Sequence, residues 1–171
     1  AAKGTSTSVM VTLGTGVGGG IVIENQVYSG MGGAGAELGH MVIVADGEPC
    51  SCGRKGCWEA YSSATAMIRM TKEKLEETKD TIMWDMVEGD INKVSGRTAF
   101  DAMRKGDAAG KRVVDKYLNY VAVGITNMIN IFQPEVLSIG GGVSGEKDNL
   151  IVPLSKIVDR DQYTRDSKSK T

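Results

Sequence analysis

The stretch Val9-Met-Val-Thr-Leu-Gly-Thr-Gly-Val-Gly-Gly-Gly-Ile-Val-Ile-Glu24 joins a short apolar run to a cluster of glycines. Val9–Leu13 predicts a buried strand and Gly14–Gly20 the loop that leaves it. Gly20–Glu24 and Gln26–Ser29, pivoting at Asn25, predict a hairpin. Further along, Met41–Val44 is another β run, and Ala45–Gly56 is a loop with Asp46, Gly47 and Gly53 as turn formers. Helical patterning begins near Trp58 and is strong over residues 64–77. A short helix is expected at 81–88, and one over 98–105 behind Ser95 as N-cap. The longest predicted helix starts at Asp107, a second N-cap candidate, and runs to Phe132. Its apolar positions Val113, Tyr117, Leu118, Val121, Ile125, Met128, Ile129 and Phe132 recur at three- and four-residue steps. That face can serve a core, a dimer seam, or both. Pro134 stops the helix, Val136–Ile139 is a second buried strand ending in Gly140-Gly141-Gly142, and residues 147–160 form a last helix before a polar tail. Strands interleaved with helices, without internal repeats, give an α/β fold.

At 171 residues, the chain should fold to roughly 8,100 Å² of surface from roughly 26,000 Å² unfolded, enough for one core or one lobe of a larger protein. Lys+Arg 20 against Asp+Glu 21 leaves a net charge of −1. That offers no footprint for wrapping nucleic acid or coating an anionic membrane. No apolar run reaches the ~18 residues of a membrane span. Gly is 23 of 171, about 13% against a usual ~7%. The glycines fall in clusters, Gly14–Gly20, Gly30–Gly39 and Gly140–Gly145, beside strand-like runs, a pattern that brings backbone close to a ligand.

Three groups of residues carry candidate chemistry. All 3 cysteines and the single histidine fall in His40-x9-Cys50-x-Cys52-x4-Cys57. Three thiolates and an imidazole complete a tetrahedral zinc shell with no position left for water, so such a zinc would be structural. The competing reading is free thiols beside a core histidine. An odd cysteine count with no secretory signal points to a reducing compartment. Next, Thr12–Gly20 and Ser138–Ser144 are strand ends rich in glycine. Each is either a phosphate cradle or a plain bend, and together they fit a nucleotide held at the carboxyl ends of strands. Neither is a P-loop, since no Gly-Lys-Ser/Thr follows, nor a Rossmann turn, since a strand and not a helix follows Gly20. Finally, Glu37 and Glu59 flank the cysteine loop, either as acceptors for sugar hydroxyls or as ordinary surface and helix-start acids.

Taken in order, Leu13–Gly20, Ala34-Gly-Ala-Glu-Leu-Gly-His40, Cys50-Ser-Cys-Gly-Arg-Lys-Gly-Cys-Trp-Glu59 and Ile139-Gly-Gly-Gly-Val143 resemble the ROK family of sugar kinases and sugar-sensing repressors. The resemblance is strongest to the bacterial ATP-dependent glucokinases. It implies an actin-like ATPase, ribonuclease H-like (hexokinase-type) lobe with a zinc-binding loop. Residues 1–171 would be the larger C-terminal lobe, with an N-terminal lobe upstream of Ala1. The implied activity is ATP-dependent phosphorylation of a hexose, D-glucose first, with N-acetylmannosamine, N-acetylglucosamine and fructose behind it. The alternative is a repressor that senses sugar through the same pocket below an upstream helix-turn-helix. The resemblance implies that Glu37, His40 and Glu59 bind sugar hydroxyls, that Thr15 and Gly16 contact phosphate, and that Gly141 and Gly142 contact adenosine. It implies zinc on His40, Cys50, Cys52 and Cys57. The resemblance implies that the family's Asp-x-Gly-Gly-Thr motif, its catalytic Asp and most of its Mg site would precede Ala1. No catalytic base is therefore assigned within the chain, and the chain alone is expected to be inactive. A cytoplasmic homodimer with hexose and ATP as its ligands completes the expectation.

Overall fold

The computed structural model describes residues 2–168 and 171. Four strands, β1 (Ser8–Leu13), β2 (Val17–Ile23), β3 (Gln26–Val27) and β4 (Val136–Gly140), form one mixed sheet in the order β3-β2-β1-β4. β1 runs antiparallel to β2 and parallel to β4. The crossover from β3 to β4 carries α1 (Glu59–Ser62), α2 (Ala64–Glu77), α3 (Met83–Met86), α4 (Thr98–Arg104) and α5 (Ala108–Phe132), and α6 (Asp148–Asp161) follows β4. This is the α/β lobe expected from the sequence. Val9, Val11 and Leu13 are fully buried on one face of β1, as period-two alternation requires. Met10, on the other face, is 48% exposed.

α5 is the spine. Its stripe of Val113, Tyr117, Leu118, Val121, Ile125 and Met128 is buried against the rest of this chain, so the apolar face serves the core. Only Val123 and Ile131 leave large apolar surface in water along the helix. Asp107 caps it as predicted, accepting Gly110 N–H at 2.6 Å. The same carboxylate also accepts Thr81 O–H and Ile82 N–H, each at 3.0 Å. Burial works to raise the pKa of Asp107, but the N–H groups of Gly110 and Ile82 and the Thr81 hydroxyl outweigh it, holding the carboxyl below its ordinary value. A depressed carboxyl pKa means its stabilisation is complete above the ordinary Asp value of ~3.9 and is lost as pH falls through the folded value. Asp107→Ala is expected to cost about 1–2 kcal/mol, read as a lowered urea midpoint at neutral pH that converges on the parent at strongly acid pH.

Several boundaries differ from the sequence expectation. The glycine run is not a loop through Gly20: the turn is Gly14–Gly16 alone, and Gly18–Gly20 lie within β2. The reason is tertiary. The 3-10 turn Leu38–His40 packs onto β2 so closely that a Cβ on Gly19 would meet Leu38 Cδ1 at 2.4 Å, and one on Gly39 would meet the Val17 carbonyl oxygen at 2.1 Å. Glycine here admits a neighbouring backbone. The hairpin does pivot at Glu24 and Asn25, both with positive φ, as a type I′ turn needs, but β3 is only two residues long. Met41–Val44 is not a strand. It makes one isolated bridge, Val42 to Cys57, because its facing partner is a short loop and not a second strand. Ser95 does not cap α4 directly. Arg97 occupies the cap position, and Ser95 Oγ accepts Arg97 N–H at 3.3 Å. No helix among the described residues is long and apolar enough to cross a membrane.

Candidate metal centre and ligand cleft

The cysteine loop folds back on itself through backbone bonds. Ile43 N–H donates to Gly56 O at 2.9 Å, Gly56 N–H to Glu48 O at 2.8 Å, Cys50 N–H to Arg54 O at 2.9 Å and Trp58 N–H to Met41 O at 2.8 Å. Gly56, at φ +80, is needed at the crossing, since a Cβ there would lie 1.7 Å from the Val44 carbonyl oxygen. The knuckle gathers one ligand atom from each of His40, Cys50, Cys52 and Cys57, all within 4.8 Å of one another. His40 Nδ1 lies 3.5 Å from Cys50 Sγ, and Cys52 Sγ lies 3.6 Å from Cys57 Sγ. Tetrahedral zinc with Zn–S of ~2.3 Å and Zn–N of ~2.0–2.1 Å has S···S edges of about 3.8 Å and N···S edges of about 3.5 Å. These two edges and the three-thiol, one-imidazole donor set fit that ion.

The thiols differ in their surroundings. The Arg54 backbone N–H is the main influence holding exposed Cys52 below the ordinary thiol range, whereas burial pushes Cys57 up to about 12. A metal must displace the Cys57 proton, so affinity should rise with pH, by about one decade per pH unit for each thiol still protonated. The expected result is zinc release on acidification, read by chelator competition between pH 8 and pH 5. Affinity independent of pH would contradict thiolate ligation.

Beside the knuckle lies a cleft of about 610 Å³ lined in part by Thr15, Gly16, Cys50, Ser51, Glu59 and Arg69. Glu59 opens α1 immediately after Trp58. The Trp58 ring is fully buried, and its Nε1–H donates to Tyr120 O at 2.9 Å. Glu59 Oε2 accepts Val17 N–H at 2.9 Å, and Oε1 stands 3.4 Å from Ser51 Oγ. The carboxylate presses on the turn between β1 and β2: a Cβ on Gly16 would come within 2.4 Å of Oε2. That turn is also gripped from α2, where Ala64 N–H donates to Gly14 O at 2.7 Å and Thr65 O–H to Thr15 O at 2.9 Å. Gly141, at φ +85, approaches the Leu13 carbonyl so closely that a Cβ would lie 2.4 Å from its oxygen. The two glycine turns thus meet at the carboxyl end of β1.

Of the residues singled out from sequence, the structure brings together the His40 and cysteine quartet, sets Thr15 and Gly16 in one cleft with Glu59, and brings Gly141, followed by Gly142, against the end of β1. Glu37 is exposed; its carbonyl accepts His40 N–H at 3.1 Å, but its side chain does not line the cleft. Sequence reasoning missed Ser51, Thr65 and Arg69. Arg69 bridges Glu73 at 2.6 Å and Glu48 at 3.3 Å, tying the knuckle to α2. Its spacing from Glu73, four residues on, is the one signal that marks it.

Residues 1–168 match the ROK family profile. The chain is 38% identical over 160 residues to a glucokinase of Thermotoga maritima, covering 93% of this chain and 50% of that one. It is 31% identical over 145 residues to a xylose repressor of Bacillus spizizenii, covering 84% and 33%. A ROK family glucokinase from Streptomyces griseus, solved with glucose and AMPPNP, superposes with a TM-score of 0.87 at 33% identity, covering 94% of this chain and 52% of that one. The chain spans about half the length of the curated glucokinases it matches. With a matching profile over nearly all its residues and the sugar-kinase α/β fold beneath it, the chain belongs to the ROK family.

Proposed function

We propose that the chain is the larger, C-terminal lobe of a ROK hexose kinase that transfers the γ-phosphoryl of ATP to a sugar, D-glucose first. One contact carries the reading: Glu59 Oε2 on Val17 N–H at 2.9 Å sets a carboxylate suited to sugar hydroxyls against a glycine turn suited to phosphate. Transfer between two bound molecules requires both reacting groups to be held within ~3–3.5 Å, and in this reading the two grips are neighbours. The likeness to a glucokinase solved with glucose and AMPPNP supports it.

In this reading Glu59 accepts a hydrogen bond from a hexose hydroxyl within the cleft, and Glu37 and His40 meet the sugar from outside its lining, Glu37 as an acceptor and His40 as a donor through Nε2–H, its Nδ1 being turned to the cysteines. Thr15 and Gly16 face the phosphates, and Gly141 and Gly142 the adenosine. The sugar 6-hydroxyl oxygen forms its bond to the γ-phosphorus as the bond to the ADP oxygen breaks. Its proton passes to a carboxylate on the N-terminal lobe, where most of the Mg²⁺ site also resides. Zinc, with four protein ligands, would hold the knuckle and take no part in the transfer.

In the full-length protein, Glu59→Gln should raise hexose KM about 10- to 100-fold, because glutamine keeps an acceptor for Val17 N–H but loses the charge that strengthens bonds to sugar hydroxyls. Steady-state kinetics with glucose, fructose, N-acetylglucosamine and N-acetylmannosamine tests both the activity and the choice of sugar. The likeness to a xylose repressor favours a second reading, sugar sensing. Tight sugar binding with no ATP turnover on any of these hexoses would replace the kinase with that reading.

A further inference from the structure

We propose that Thr65 is a positioning residue for the phosphate-facing turn, a role that rests on the kinase reading above. The Gly14–Gly16 turn is held from one side by a single continuous piece of chain. Glu59 takes Val17 N–H, Ala64 N–H reaches Gly14 O, and the Thr65 hydroxyl donates to Thr15 O at 2.9 Å. The last of these acts as a lever. A trans peptide is planar, with its carbonyl and the following N–H pointing in opposite directions. Fixing the Thr15 carbonyl toward α2 therefore turns the Gly16 N–H away from α2. Among the described residues that N–H has no protein partner. An unpartnered amide in a glycine turn at the end of a strand is the kind of donor that binds phosphate oxygens.

A hydroxyl in the first turn of a helix is ordinarily a local device, and Thr71 in the same helix shows the local pattern, donating to Met67 O at 2.7 Å. Thr65 instead reaches across 50 residues of sequence to the turn. Its hydroxyl is exposed, so exchanging this bond for one to water changes stability little. What the bond fixes is direction. Thr65 thus links α2 to the nucleotide side of the cleft, while Glu59, at the start of α1, faces the sugar side.

The test uses the full-length protein with Thr65→Val, which keeps the shape and loses the donor, and Thr65→Ser, which keeps the donor. Affinities for Mg-AMPPNP and for glucose are measured separately by calorimetry, alongside thermal melting. Thr65→Val should weaken AMPPNP about five-fold, the value of one hydrogen bond. Glucose affinity should hold within about two-fold and Tm within about 2 °C, and Thr65→Ser should restore nucleotide affinity. Unchanged AMPPNP affinity in Thr65→Val overturns the proposal, as does parallel loss of nucleotide, glucose and Tm, which would mark a merely structural side chain. If the parent protein binds AMPPNP but phosphorylates no hexose, the kinase reading falls and the Thr65 comparison still stands. If the parent binds no nucleotide, both fall.

Discussion

Cys57→Ser in the full-length protein is expected to abolish stoichiometric zinc and to weaken hexose binding at least ten-fold in the same step. Cys57 is fully buried, one residue before Trp58 and two before Glu59. It is thus the ligand nearest the core and the one that ties the metal to α1. A serine hydroxyl is a poor ligand for zinc, whose structural sites draw apparent free energies of about 10–16 kcal/mol from full deprotonated sets. The knuckle has little else to hold it. Residues 51–55 are exposed, so they bury almost no apolar surface, and the loop depends on a few backbone bonds worth only about 0.5–1.5 kcal/mol each. Without the ion the ordering entropy of the loop is not offset, and Cys50 and Ser51 leave their places beside Glu59. Metal analysis and glucose calorimetry on one preparation give the readout. Cys52→Ser, at an exposed ligand, should reproduce the loss without a change in the core. Full zinc in either variant would remove these side chains from the ligand set. Lost zinc with intact glucose affinity would break the coupling between the metal and the cleft.

What the sequence made legible was local or compositional. The apolar stripe of α5 and its Asp107 cap are read within one helix, and the structure keeps both. The candidate ligand quartet is legible because every cysteine and the only histidine fall at metal-ligand spacing, a coincidence that needs no tertiary knowledge. Gly18–Gly20 were misread because glycine carries no alternation to betray a strand. The reason Gly19 is a glycine, the turn at Leu38–His40, lies about twenty residues away in sequence. Met41–Val44 looked like a strand from its β-branched residues, yet strands exist only with partners, and the partner here is a loop. Glu59 was legible as an acid near the loop. Its grip on Val17 N–H was not, since no pattern announces that a carboxylate two residues after Cys57 will meet an amide from the first hairpin.

Gly124 is the extreme case, and it supplies the other large expected effect. A glycine inside a 25-residue helix reads as a defect costing about 1 kcal/mol relative to alanine. The structure gives the reason: a Cβ at that position would lie 2.0, 2.3 and 2.4 Å from Cε2, Cδ2 and Cζ2 of the Trp58 ring. The indole occupies the notch that glycine leaves and is anchored there by its bond to Tyr120 O. Gly124→Ala must therefore drive a buried ring outward by more than an ångström or bend α5. Overpacking of this kind costs about 1–3 kcal/mol or more, outweighing the roughly 1 kcal/mol that alanine returns in helix propensity. Because Trp58 stands between Cys57 and Glu59, the displaced ring carries both with it. Gly124→Ala should therefore lower the urea midpoint and weaken zinc and hexose together, although it touches neither. Val123→Ala, at an exposed neighbour in the same helix, should do none of this. Trp58→Phe makes room, so the double variant Gly124→Ala/Trp58→Phe should be more stable than the two single losses predict, with a coupling of about 0.5–3 kcal/mol. Strict additivity would mean that ring and glycine do not constrain each other, and the anchoring of the metal loop to the core would then have to lie elsewhere.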